Sequence, residues 1–171
     1  MKKKGIIGIG IIAILAVVAY LTFDRLGGNT PVEIQLINQP PPSLAGKTYR
    51  GTPQAEELGK TFEEIESKKG LNPGSYLHTI YEIEPAGKLD TMVVFIGINK
   101  SLPINGLEYK IFEEGSYLLA TVKSNRWVMP SPQKVQQRLK EFATENKLEL
   151  SGVFIDKIIS DEEVQVIAPV K

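Results

Sequence analysis

Two triplets, Thr52-Pro53-Gln54 and Ser131-Pro132-Gln133, stand 79 residues apart and open segments with the same order of predicted elements. Each reads as a helix start. A hydroxyl residue sits at the N-cap and a proline at the first helical position, where its missing N–H costs no hydrogen bond. After the first triplet, Glu56 and Glu57 meet the positive end of the helix dipole. Ala55, Leu58, Phe62 and Ile65 then recur at helical spacing and form one apolar face. Lys68-Lys69-Gly70 supplies C-terminal cations and a stop. After the second triplet the apolar face is Val135, Leu139 and Phe142.

Strand patterns surround both helices. Val32, Ile34 and Leu36 alternate with Glu33 and Gln35, the period of a half-buried strand. Pro40-Pro41-Pro42 ends that strand, and Ala45–Arg50 reads as a second short one. Tyr76–Glu84 and Thr91–Ile98 follow the first helix, and the apolar run MVVFIGI marks the latter as central in its sheet. The second half carries Tyr109–Phe112 and Tyr117–Lys123, with Glu113–Ser116 turning between them. Val153–Ile159 and Glu163–Ile167, joined at Ser160-Asp161-Glu162, close it. The expected fold is α+β, with two tandem strand–helix–strand–strand units, about 32–100 and 107–171. They form one antiparallel sheet with two helices on one side.

A different feature dominates the N-terminus. Gly5–Phe23 is an uncharged run of 19 residues, roughly 28 Å long as a helix and so close to a bilayer's hydrocarbon thickness. Lys2-Lys3-Lys4 precedes it, which keeps a 1–4 stub in the cytoplasm and sends the remainder across a bacterial-type membrane. Three readings fit: an uncleaved single-pass signal-anchor, a signal peptide cut after Val17-Val18-Ala19, and a buried helix. The anchor is favoured, because Tyr20–Phe23 prolongs the apolar stretch beyond the cleavage site. Secretion after cleavage is the alternative. Gly5, Gly8 and Gly10 are too sparse a small-residue pattern to imply helix dimerisation. Residues 24–31 read as a flexible linker and 32–171 as an extracytoplasmic domain, periplasmic or at the cell surface.

Composition excludes several chemistries. There is no Cys and a single His, His78. That removes disulfides, thiolate zinc sites, a cysteine nucleophile and a multi-histidine metal centre. Three of the 20 basic side chains precede the apolar run, leaving 17 basic against 20 acidic beyond it. A slightly acidic domain without a basic stripe is a poor partner for nucleic acid.

The duplicated order resembles the GyrI-like family, which includes gyrase-inhibitor and AraC-type effector-binding domains. Gly115-Ser116-Tyr117-Leu118-Leu119-Ala120 is similar to the family's glycine-led strand. The capped second helix and the ending Val166-Ile167-Ala168-Pro169-Val170-Lys171 are similar as well. The resemblance covers about residues 32–171. It implies two units paired about a pseudo-twofold, with a small molecule held in the cleft between them. Two departures stand out. Gly152, before Val153-Phe154, occupies the place where many relatives carry a glutamate for cationic ligands. Lys123-Ser124-Asn125-Arg126-Trp127 replaces the frequent His-x-Gly stretch. No helix-turn-helix segment is present.

Candidate ligand-binding residues are aromatic. Trp127, the only Trp, lies in the loop Arg126–Pro130 and offers a large apolar face with an N–H handle. Tyr76, Tyr81, Phe95, Tyr109 and Phe154 lie on predicted strands, and the resemblance turns some of them to the cleft. Ordinary core or sheet packing is the plainer explanation for each. His78 reads as a structural or exposed imidazole, although a haem-binding branch among distant relatives suggests an axial-ligand role as the alternative. Glu63-Glu64, Glu113-Glu114 and Asp161-Glu162-Glu163 read as solvated acidic runs rather than catalytic pairs. No nucleophile elbow, phosphate loop or dinucleotide fingerprint occurs. The expected function is non-enzymatic binding of a small, partly apolar molecule by a membrane-tethered sensor or sequestering protein, with no cofactor. The alternatives are an interaction module with a closed cleft, or a small-molecule hydrolase.

Overall fold

The computed structural model describes residues 2–28, 30–125 and 127–171, with the side chains of 2–11 and 13 outside the described set. Asn29 of the linker reading, Arg126 of the Trp127 loop and the helix surface at Gly5, Gly8 and Gly10 therefore lie outside what is described.

Helix α1 spans Lys2–Arg25. The expectation of a membrane-spanning helix at Gly5–Phe23 is not met: no helix among the described residues is long and apolar enough to cross a membrane. The single-pass placement, with a cytoplasmic N-terminus and the domain outside, loses its basis with it. The end of α1 meets the sheet through the Asn125 N–H, which donates to the Leu26 carbonyl at 2.9 Å.

Eight strands and two further helices follow: β1 (Glu33–Ile37), β2 (Leu44–Gly51), α2 (Glu56–Gly70), β3 (Leu77–Ile83), β4 (Met92–Asn99), β5 (Glu108–Lys110), β6 (Ser116–Lys123), α3 (Pro132–Glu145), β7 (Ile155–Ser160) and β8 (Glu163–Val170). The strands form one sheet in the order β1-β6-β8-β7-β3-β4-β2-β5, and every pairing is antiparallel. The units β2-α2-β3-β4 and β6-α3-β7-β8 share one chain path and meet back to back where β3 pairs with β7.

Opposed residues in an antiparallel ladder point to the same face, so register assigns the layers. Leu77 pairs with both Ile98 and Ile158, and Ile158 pairs with Val164, which pairs with Val122. This chain of pairs puts the cluster under α2 and the cluster under α3 on one face. Ile65 of α2 packs with Tyr49, Leu77, Val94, Ile96 and Ile98. Val135, Leu139 and Ala143 of α3 pack with Leu118, Ala120, Val122, Val166 and Ala168. The far face has its own cluster, Leu44, Ile80, Phe95, Ile155 and Ile167, against which Phe112 packs.

Three local expectations change. Helix α2 starts at Glu56 with Ala55 as N-cap, not at Thr52-Pro53. The Tyr49 hydroxyl donates to the Thr52 carbonyl at 2.9 Å, which ties that triplet into a turn. Helix α3 does start at Pro132 behind Ser131, though without a side-chain cap bond. Glu113–Ser116 does not turn one hairpin, because β5 pairs with β2 at one edge while β6 pairs with β1 and β8 near the other. Strand β1 likewise joins the second unit's half of the sheet, not the first's.

Leu139 is fully buried at the centre of the α3 interface. Leu139→Ala is expected to cost about 2–5 kcal/mol, the lost transfer energy plus a cavity. Chemical denaturation reads this as a lower midpoint at unchanged slope.

Candidate functional site

The junction between the units is short. Its three pairs are Leu77↔Ile158, His78↔Lys157 and Thr79↔Asp156. Beyond Thr79 and Asp156 the two strands part, and the fork holds a cleft of about 360 Å³, within the range of small-molecule sites. Ile80, Tyr81, Glu82 and Glu84 line it from the first unit, and Gly152, Val153, Phe154 and Asp156 from the second. Gln136 and Lys140 of α3 close its side. Two other hollows, of about 440 and 470 Å³, lie at the α1 end and among the loops around Pro42, Pro73 and Lys100. Neither draws residues from both units.

The cleft is acidic with an aromatic wall. Asp156 shares its face with Val166, under α3, so its carboxyl points into the fork rather than to open solvent. Burial, and next the negative charge of Glu84, push its pKa up to about 6, while a hydrogen bond from Thr79 works in the opposite direction. Burial raises the Tyr81 phenol as well, aided by Asp156 and Glu84. Glu84 is held by two amide donors on α3. Gln133 Nε2 donates to one carboxylate oxygen and Gln136 Nε2 to the other, each at 3.1 Å. Glu82 is committed to Lys110 at 2.8 Å. Lys140 Nζ lies 5.5 Å from the Phe154 ring centroid at the rim, a cation–π distance.

Of the six aromatic candidates, Tyr81 and Phe154 line this cleft, and the others lie elsewhere. Phe95 is fully buried on the far face. Its ring lies across Gly97, where an added Cβ would come within 2.7 Å of it and 2.8 Å of the Ala45 carbonyl oxygen. Tyr109 is on edge strand β5, its hydroxyl donating to the Lys100 carbonyl at 3.3 Å. Tyr76 sits beneath Lys157, whose Nζ is 4.5 Å from the ring centroid on the far face. Trp127 is 79% exposed in its loop, and its backbone N–H donates to Asn125 Oδ1 at 3.2 Å. His78 is fully buried.

Sequence reasoning missed Asp156 and Glu84. The signal for Asp156 was available, since the period of two places it on the face of Phe154. Glu84 gave no such signal, because its role depends on Gln133 and Gln136, about 50 residues away in the chain. Gly152 lines the cleft: its φ of +93° favours glycine, and the space where a side chain would stand is open.

No family model matches the chain, and no curated protein matches it. Solved structures do match in fold. An uncharacterized conserved protein from Listeria innocua is 12% identical, with a TM-score of 0.58 over 81% of this chain and 92% of that one. A hydrolase from Listeria innocua is 13% identical, with a TM-score of 0.56 over the same shares. The C-terminal domain of EcmrR is 14% identical, with a TM-score of 0.54 over 82% of this chain and 98% of that one. At these identities the likeness is one of fold.

The shifted carboxyl has a consequence for stability. An unfolded Asp loses its proton near 3.8, whereas Asp156 in the fold keeps its proton up to about 6. The native state therefore loses stability as pH rises through that window, and the loss is complete above it. Asp156→Asn is expected to stabilise the protein at pH 7.5 by about 1–3 kcal/mol, with the gain vanishing below about pH 4. Thermal melts of both proteins across this range check it, and a pH-independent difference contradicts it.

Proposed function

We propose that the chain is a GyrI-like small-molecule-binding domain whose fork cleft takes an organic molecule with an apolar or aromatic body and one cationic or strong donor group. The observation that carries this reading is the pair Asp156 and Glu84, two carboxyls converging on a cleft walled by Tyr81 and Phe154. Carboxylates in a partly dehydrated site favour a positive or donating guest. The aromatic faces supply contact area and attract cations. The cleft is open rather than filled by side chains, which weighs against an interaction module with a closed seam. The fold-level likeness to the EcmrR C-terminal domain supports the same reading.

A second reading, hydrolysis of a reactive small molecule, is favoured by one feature. A carboxyl titrating near 6 beside a tyrosine can exchange a proton with a substrate near neutral pH. In that case Asp156→Asn abolishes turnover while leaving the guest bound.

A thermal-shift screen of organic monocations and their uncharged isosteres at pH 7.5 tests the binding reading, since a guest specific to the native state raises the melting point. At least one aromatic or alicyclic monocation is expected to shift the melt more than its uncharged isostere. Glu84→Gln is expected to weaken that compound about tenfold, roughly 1.4 kcal/mol. Trp127 emission should stay unchanged, because that residue lies outside the cleft. Equal shifts for charged and uncharged members, or no shift with either, contradict the reading.

A further inference from the structure

We propose that the β3–β7 seam is an acid-opened zipper: when the His78 ring takes up a second proton, the three pairs joining the units separate and the cleft at their fork widens. The geometry begins with how little backbone joins the halves. Three residue pairs hold β3 to β7, and His78 occupies the middle pair, one step behind the fork. The ring is fully buried. Its Nδ1 lies 2.9 Å from the Tyr76 carbonyl oxygen. A carbonyl only accepts, so Nδ1 carries the proton and Nε2 is the bare nitrogen. Among the described residues, Nε2 has no hydrogen-bond partner.

A proton added at Nε2 would therefore need an acceptor that the seam does not supply. On the β4 side, the residue paired with His78 is Gly97, which has no side chain. On the β7 side it is Lys157, already a cation, whose Nζ stacks on Tyr76. The charged group facing Lys157 from β8 is Glu163, which acts on that lysine and also lies 3.9 Å from Lys123. A buried imidazolium with no acceptor and a neighbouring ammonium is strongly disfavoured. Separating the three pairs relieves it by admitting water.

The sign follows from the two states. The closed seam holds the imidazole pKa down to about 4, chiefly by burial. The open seam returns it toward the ordinary 6.5, so the open form gains on the closed one as pH falls through that interval. Asp156, on the helix side of the same seam, faces Glu84, Tyr81 and Thr79 from β3 and its extension, and Lys140 and Gln136 from α3. Its protonation removes repulsion with Glu84 and favours closure. That change occurs at a higher pH, so it precedes the His78 transition during acidification. The far-face cluster of Ile80, Phe95, Ile155 and Ile167 spans both units and confines opening to the seam rather than splitting the molecule. The zipper is a property of the empty protein and holds whatever the cleft binds.

Amide hydrogen exchange on the full chain, corrected for intrinsic rates, tests it at pH 7 and pH 4.5. Those amides of Leu77–Thr79 and Asp156–Ile158 that donate across the seam are expected to lose protection on acidification by about 10–100-fold more than core amides of β4 and β6. His78→Gln and His78→Leu are each expected to remove that excess. Seam amides that track the core in the wild-type protein overturn the proposal, and this comparison needs no variant to fold. An excess that persists in a folded His78 variant overturns it as well.

Discussion

Three antiparallel pairs between β3 and β7 carry the architecture of this molecule. Every other strand pairing lies within one half of the sheet, so each half can satisfy its own ladder and bury its own helix. Strand pairing joins the halves only along Leu77–Thr79 and Asp156–Ile158, backed by the apolar cluster on the far face and by the Gln133 and Gln136 hydrogen bonds to Glu84. The shortness of that junction creates the cleft. Where the strands stop pairing they diverge, and divergence between the two halves of the sheet, with helices on one side, leaves a hollow between α3 and the end of β3.

Charge is concentrated at this junction in a way that a purely structural seam would avoid. One face presents Asp156 and, nearby, Glu84. The other presents His78 and Lys157. Stability alone would favour apolar pairs at both places, as at the neighbouring Leu77↔Ile158 pair. Strained or costly groups gather where a protein binds or switches. The seam is the one place among the described residues where a carboxyl is shifted far upward and an imidazole far downward on adjacent residue pairs.

Much of the fold was legible in the sequence, for identifiable reasons. The apolar faces of α2 and α3 follow from helical spacing, and the apolar run Met92–Ile98 marked a strand buried on both faces. The repeated element order pointed to two like units. Pairing partners were less visible, because register is a non-local property: β1 crosses to the second half, and β5 and β6 end at opposite sides of the sheet. The aromatic candidates divided for the same reason. Phe95 and Tyr81 both lie on strands of the first unit, but register sends one into the far-face core and the other to the cleft. The start of α2 lies at Glu56, beyond the capping triplet, whose Thr52 carbonyl accepts from the Tyr49 hydroxyl in a turn. At the N-terminus, the uncharged run Gly5–Phe23 led to a membrane-spanning helix that is not found among the described residues.

The seam holds a largely dehydrated carboxyl facing the cleft, and its titration is the decisive observation. The side-chain carboxyl carbon of Asp156 can be followed by NMR from pH 3 to pH 8, with Asp156→Asn assigning the resonance. A midpoint near 6 is the result predicted here. A midpoint near 3.8, the ordinary value for an aspartate in water, would contradict the account.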